Sequence, residues 1–182
     1  MKKLLTMLAA IVVATISQAA TVNWQVLNVQ SSSDTAVAAG WAIQVFSSTV
    51  TYDYAKAAAG EITPWETGAT VLSGTSYRAT GSGTQANGTS ASYYAVIYDA
   101  ASIDSAKNYI VSAAVAVTTN DAGSDARLSF GNMSGTGTTN AFLNSSWTAT
   151  AAVPEPTSGL LMLLWYGWLG SPPPQHLIGL TR

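Results

Sequence analysis

The stretch TVNWQVLNVQ, residues 21–30, decides the fold class, because apolar and polar side chains alternate along it. Val22, Trp24 and Val26 would share one face of an extended chain, and the amides between them would lie on the other. This is the pattern of a β-strand with one face in a core and one face in water. The chain that follows is therefore expected to contain further strands of the same kind.

Similar segments recur along the chain after this strand. The longest starts at Trp41 and is expected to bend near Ser47 before its alternation resumes up to residue 54. Other runs are rich in β-branched or small residues, which favour strands. Strands are predicted at residues 71–73, 92–98, 109–119, 126–133 and 145–150.

Glycine and asparagine provide the turns between these strands. The runs GSGT (residues 81–84), NGT (87–89) and NDAGSD (120–125) are predicted to be turns, and residues 63–70 are expected to be irregular. An alanine-rich stretch stopped by Gly60 predicts one helical turn, and a second short helix is expected with Asp99 as its N-cap. The fold class is thus all-β, a single antiparallel sandwich-like domain of jelly-roll or Greek-key type with one or two helical turns.

The composition removes several classes of function. The chain has no cysteine, which excludes disulfide frameworks, thiolate zinc sites and cysteine nucleophiles. Residues 21–153 contain four basic and eight acidic side chains, a net charge of −4, without a basic cluster. This charge balance argues against nucleic acid as a partner.

The first twenty residues are typical of a secretory signal peptide. Lys2 and Lys3 precede an apolar run, and small residues follow it. Ser17 and Ala19 occupy the positions that signal peptidase reads, with cleavage after Ala19 or, alternatively, after Ala20. The protein is therefore expected to be exported.

The C-terminal segment carries the most specific motif of the chain. A short apolar run from Leu160 to Leu169 is about half as long as a membrane-spanning helix. Before it stand Val153, Pro154, Glu155, Pro156, Thr157, Ser158 and Gly159.

Residues 153–164 resemble the start of a PEP-CTERM sorting signal, a tag found on exported bacterial proteins. The resemblance implies processing by an exosortase-type membrane transpeptidase. It also implies transient membrane association, then a place at the cell surface or outside the cell, in a setting where extracellular polysaccharide is a candidate partner. Three segments follow: a signal peptide (1–20), a β-rich domain (21–150) and a linker with the sorting tail (151–182).

The tail departs from the family pattern after Leu164. That pattern continues with small residues and ends in arginines, whereas this chain reads WYGWLGSPPPQ. A reading frame shifted by one base turns Trp165 and Trp168 into glycine, and turns each proline whose codon ends in G into arginine. We therefore hypothesise a single-base frameshift near Leu164, which the coding DNA tests directly.

The domain offers few groups for catalysis. The chain's single histidine, His176, lies in the tail, so the domain has no histidine base, no Ser-His-Asp triad and no histidine metal ligand. Glu61 and Glu66 could be drawn as a glycosidase pair, but solvated loop charges are the favoured interpretation. Asp121 and Asp125 could offer oxygens to Ca²⁺, although their spacing matches no EF-hand. No catalytic residue, metal or cofactor is expected.

The aromatic residues suggest carbohydrate binding as an alternative function. Trp65, beside Pro64, is the best exposed candidate, and one of the adjacent Tyr93 and Tyr94 is expected to be exposed because neighbouring strand residues point to opposite faces. Trp65, Tyr93 and Tyr94 could stack on sugar rings in a carbohydrate-binding module; core packing is the other interpretation. The sequence favours an exported, non-enzymatic surface or extracellular-matrix protein, with a carbohydrate-binding module and a carboxylate-dependent glycan hydrolase as alternatives.

Overall fold

A computed structural model describes residues 19–135 and 140–150. Within them, α1 (Tyr54–Ala58) is an α-helix and Ile103–Ser105 is a single 3-10 turn. The strands are β1 (Ala19–Leu27), β2 (Ala42–Ser47), β3 (Glu66–Ala69), β4 (Val71–Ser73), β5 (Ser76–Ala86), β6 (Ser90–Tyr98), β7 (Asn108–Val111), β8 (Val115–Thr118), β9 (Ala126–Asn132) and β10 (Thr148–Ala149).

The strands form two sheets. The four-stranded sheet has the order β4-β5-β1-β9, and the six-stranded sheet has the order β10-β7-β6-β2-β3, with β8 paired to the first half of β6. All pairs are antiparallel except β1 and β9, which run parallel. The prediction of an all-β, largely antiparallel, sandwich-like domain with short helical turns is confirmed.

The main core lies between the sheets and follows the alternation of β1. Val22, Trp24 and Val26 are buried, as the sequence predicts. Alternate residues of β6, namely Tyr93, Ala95 and Ile97, face the same core, and β9 contributes Leu128 and Phe130. Each of these strands therefore buries one face between the sheets.

The outer face of the six-stranded sheet is covered as well. Phe46, Tyr94, Val96 and Tyr98 form a second buried cluster there. The residues that cover it come from the connection between β2 and β3, including α1, and from the segment around the 3-10 turn: Val50, Tyr52, Tyr54, Ile62, Ala100 and Ile103. Burial on both faces explains why β6 is apolar from Tyr93 to Tyr98 without alternation.

The strand prediction for residues 49–54 is wrong. The chain leaves the sheet after Ser47, and Asp53 begins α1 by accepting a hydrogen bond from the Lys56 amide at 3.1 Å. The predicted helical stop is confirmed, since Gly60 has φ +72°. The apolar residues of this connection alternate because they cover the second cluster, and they belong to no strand of the described residues.

The predicted turn at residues 81–84 is instead the middle of β5. Gly81 and Gly83 face the core, where the Trp24 and Trp65 rings occupy the space that a Cβ atom would need. Glycine serves close packing here, so the prediction of a turn from these two glycines is wrong. The other two predicted turns contain Gly88 and Gly123, with φ +65° and +71°.

Two further segments differ from their predictions. Residues 109–119 form β7 and β8 with a break between them, where the Ser112 hydroxyl accepts a hydrogen bond from the Ala95 amide at 2.9 Å. Residues predicted to be irregular form β3, which pairs with β2.

Candidate functional site

The aromatic residues proposed for sugar stacking lie in the core or against it. Tyr93 is 5% exposed and its ring centroid lies 4.3 Å from that of Trp65. Trp65 is partly buried, and its indole N–H donates to the Thr84 carbonyl at 3.2 Å. The Tyr93 and Trp65 rings thus pack against each other and against the core.

Tyr94 points to the other side of β6 but is also buried, at 7% exposure. Its ring stacks on Phe46 with 5.6 Å between centroids, and its hydroxyl donates to the Val50 carbonyl at 2.8 Å. The expectation that one of the two adjacent tyrosines is exposed is wrong, because the six-stranded sheet is covered on both faces. Neither Tyr93 nor Tyr94 offers an exposed ring face for a sugar.

Tyrosine hydroxyls form a small network inside the second cluster. The Tyr98 hydroxyl donates to Gln44 Oε1 at 2.8 Å and lies 2.9 Å from the Tyr52 hydroxyl. Burial raises the pKa of both phenols far above the usual range, and the contact with Tyr98 raises that of Tyr52 further. Both hydroxyls therefore stay protonated, which suits a structural network and not a general base.

Among the described residues, Asp99 is the one acidic residue that is buried, at 4% exposure. It is not the helix cap that the sequence suggested: the 3-10 turn is preceded by Ser102. Instead its Oδ1 accepts from the Lys107 and Asn108 amides at 2.8 and 2.9 Å, and its Oδ2 accepts from Ser32 Oγ at 2.8 Å and from Asn108 Nδ2 at 2.9 Å.

The Asp99 hydrogen bonds tie the loop after β1 to the start of β7. Burial alone would raise the pKa of the carboxyl, but the bonds from Asn108, Ser32 and Lys107 outweigh it and hold the pKa below the usual value. Because the donors lie in two separate segments, the carboxylate serves as an internal clasp between them.

The other candidate acids are dispersed, and all are exposed except Glu66, which is partly buried. Glu61 is exposed after α1 and Glu66 begins β3, while Asp121 and Asp125 are exposed in the turn before β9. Asp125 accepts from Asn23 Nδ2 at 3.4 Å. Among residues 19–135 and 140–150, no three His, Cys, Asp or Glu side chains come close enough to hold a metal ion.

The outer face of the four-stranded sheet is the surface that sequence reasoning missed. The cross-strand pairs Thr21–Thr84, Asn23–Ser82 and Gln25–Thr80 place polar residues side by side, and β9 adds Arg127 and Ser129 next to Asn23 and Gln25. All of these are exposed or partly exposed. The outward alternation of β1 was visible in the sequence, but its neighbours were not.

Hydrogen bonds along this face join residues about a hundred positions apart. Gln25 Nε2 donates to Ser129 Oγ at 3.1 Å, and Arg127 Nη2 contacts Gln25 Oε1 at 3.5 Å. A shallow depression of about 310 Å³ opens among these groups, lined by Asn23, Trp24, Gln25, Thr80, Gly81, Ser82 and Arg127. The depression thus combines several donors and acceptors with one guanidinium.

The predicted sorting motif, residues 153–159, and residues 1–18 of the predicted signal peptide lie outside the described residues. Where the chain is described, none of its helices has the length and apolar character needed to span a membrane. Comparison with protein-family models, with curated proteins and with solved structures finds no match to this chain.

Proposed function

We propose that this chain is an exported, non-enzymatic surface or extracellular-matrix protein of a bacterium, sorted by a PEP-CTERM-type signal. The observation that carries the proposal is the combination of two terminal signals: a leader with Lys2 and Lys3, and Pro154-Glu155-Pro156 followed by an apolar run. Signal peptidase and an exosortase-type transpeptidase are the partners this implies.

The domain between the signals supports a role without catalysis. Its buried carboxylate is bound by four protein donors, and its buried phenols stay protonated. A glycan hydrolase would need two acids facing each other across a cleft. Of the pair considered for this role, Glu61 is exposed after α1 and Glu66 is partly buried at the start of β3.

Cell fractionation tests the proposal. The full chain, with the alternative reading frame restored after Leu164, is expressed in a bacterium with an exosortase-type enzyme and in the same strain lacking it, together with a Glu155→Ala/Pro156→Ala variant of that form. A matched control, Glu61→Ala, removes an exposed carboxylate from the domain. We expect loss of the leader in every case, and release outside the cell that falls only without the motif or the enzyme.

Two results would contradict the proposal. A chain that keeps its leader and stays in the cytoplasm would overturn export. Equal release of the motif variant and the Glu61→Ala control would overturn sorting through Pro154-Glu155-Pro156.

A further inference from the structure

The central part of the outer face of the four-stranded sheet is polar, in contrast to the covered outer face of the six-stranded sheet. Alternate residues of β5 continue the polar rows, because Arg78 follows Thr80 on the outward side. The polar outward residues of the three longer strands include Thr21, Asn23, Gln25, Arg78, Thr80, Ser82, Thr84, Arg127 and Ser129. Apolar outward residues lie only towards the ends of these strands: Ala19 and Ala86 at one end, and Leu27 with the exposed Val71 of β4 at the other.

Charge is distributed unevenly between this face and the remainder of the domain. Residues 21–150 contain four basic side chains, and both arginines, Arg78 and Arg127, lie on this face. Of the eight acids in the same residues, Asp125 contacts the face, through Asn23. An acidic domain therefore presents both of its arginines on this face, Arg127 beside Asn23 and Arg78 further along on the opposite neighbour of β1.

The side chains around the depression are already positioned by their neighbours. Gln25 is held between Ser129 and Arg127, and Asn23 is held by Asp125. Side chains ordered before binding lose less conformational entropy when a ligand arrives. Thr80 and Ser82 line the opposite side and add hydroxyls that can both donate and accept.

We propose that this face binds an acidic polysaccharide built from uronic acids. Arg127 pairs with a sugar carboxylate, since a guanidinium matches a carboxylate in a bidentate geometry. Asn23, Thr80 and Ser82 bond the neighbouring sugar hydroxyls. Recognition runs through hydrogen bonds and charge, without ring stacking, so it differs from the aromatic site that the sequence suggested. It goes beyond the proposed function and does not depend on how the chain is sorted.

Binding to polygalacturonate tests this inference. The full purified chain is measured on immobilised polygalacturonate and on neutral dextran, at low and high salt. Arg127→Gln keeps a long polar side chain but removes the charge, and we expect it to weaken binding at least tenfold. Lys56→Gln is the matched control, because it removes one exposed positive charge from α1, on the six-stranded side. It should leave affinity unchanged.

A second variant separates loss of fold from loss of ligand. Thr80→Val keeps the β-branched shape of an exposed strand residue and removes its hydroxyl. We expect an unchanged unfolding midpoint and several-fold weaker binding. The inference is overturned if the parent chain does not bind, if dextran binds as well as polygalacturonate, or if Arg127→Gln and Lys56→Gln weaken binding equally. Each of these results leaves the sorting proposal intact, since that proposal rests on the termini.

Discussion

Trp24 occupies the space between the sheets where β3 faces β5. A glycine from each sheet lies against its indole: a Cβ atom at Gly68 would come within 2.6 Å of Cη2, and one at Gly81 within 2.6 Å of Cε2 and Cζ2. The indole N–H is buried and has no hydrogen-bond partner within the described part of the chain. Packing therefore decides the residue types at these three positions.

Gly81→Ala is expected to destabilise the protein by about 1–3 kcal/mol, because the added methyl group overpacks the core against the buried Trp24 ring. Urea unfolding followed by tryptophan fluorescence measures the effect. Ser82→Ala, one position along on the exposed face, should change the free energy of unfolding by less than about 0.5 kcal/mol. Equal stability of the two variants would show that the ring moves aside.

Asp99 makes stability depend on pH. Its pKa is lower in the folded protein than in the unfolded chain, so its stabilising contribution is complete above the unfolded value of about 3.9 and is lost as pH falls through the folded pKa. Asp99→Asn should reduce stability at pH 7 by about 2–3 kcal/mol through its lost charge-assisted hydrogen bonds. It should also flatten the stability profile below pH 4.

The control for Asp99 is Asp104→Asn, which removes an exposed carboxylate five positions away. Chemical denaturation at pH values from 3 to 7 compares both variants with the parent. An Asp99→Asn profile that parallels that of Asp104→Asn would argue against the clasp.

At the scale of elements, the connection between β2 and β3 depends on the short helix α1. Five residues are too few for a helix to be stable on its own, so the cap and the packing of Ala57 hold it. Asp53→Ala is expected to cost about 1 kcal/mol, whereas Asp53→Asn keeps a capping oxygen and should cost little.

Amide hydrogen exchange measures this effect locally. The Ala57 and Ala59 amides, which donate to the Asp53 and Ala55 carbonyls, should exchange faster in Asp53→Ala than in Asp53→Asn. Identical exchange in both variants would mean that packing alone retains the helix.

The elements also show what the sequence could predict. β1 and β9 were predictable because each has alternating burial, and the turns at Gly88 and Gly123 because glycine adopts a positive φ there. Gly81 could not be assigned correctly, because its reason is a ring from another strand. The same holds for the polar face: the outward residues of β1 were visible, but Arg127 joins them through a pairing that local patterns do not encode.

At the scale of the whole molecule, the tail is expected to govern membrane retention. Arginines beside an apolar segment hold it at the cytoplasmic face, whereas this chain has three prolines there and a single arginine, Arg182, at its end. Restoring the alternative reading frame after Leu164 should increase the membrane-bound fraction and the processing of the tail. Fractionation of cells expressing each form measures this, and equal retention of both would contradict the predicted effect of the tail on membrane retention.

The parallel pairing of β1 with β9 also has a consequence for the order of events during synthesis. Gln25 and Ser129, which are bonded in the finished sheet, are 104 residues apart in the chain. β1 is synthesised first, but it can pair with β9 only after most of the domain has been synthesised. Contacts between such distant segments slow folding. A chain that completes its four-stranded sheet late stays unfolded for longer. The proposed export requires that state, because a chain passes through a narrow membrane channel unfolded.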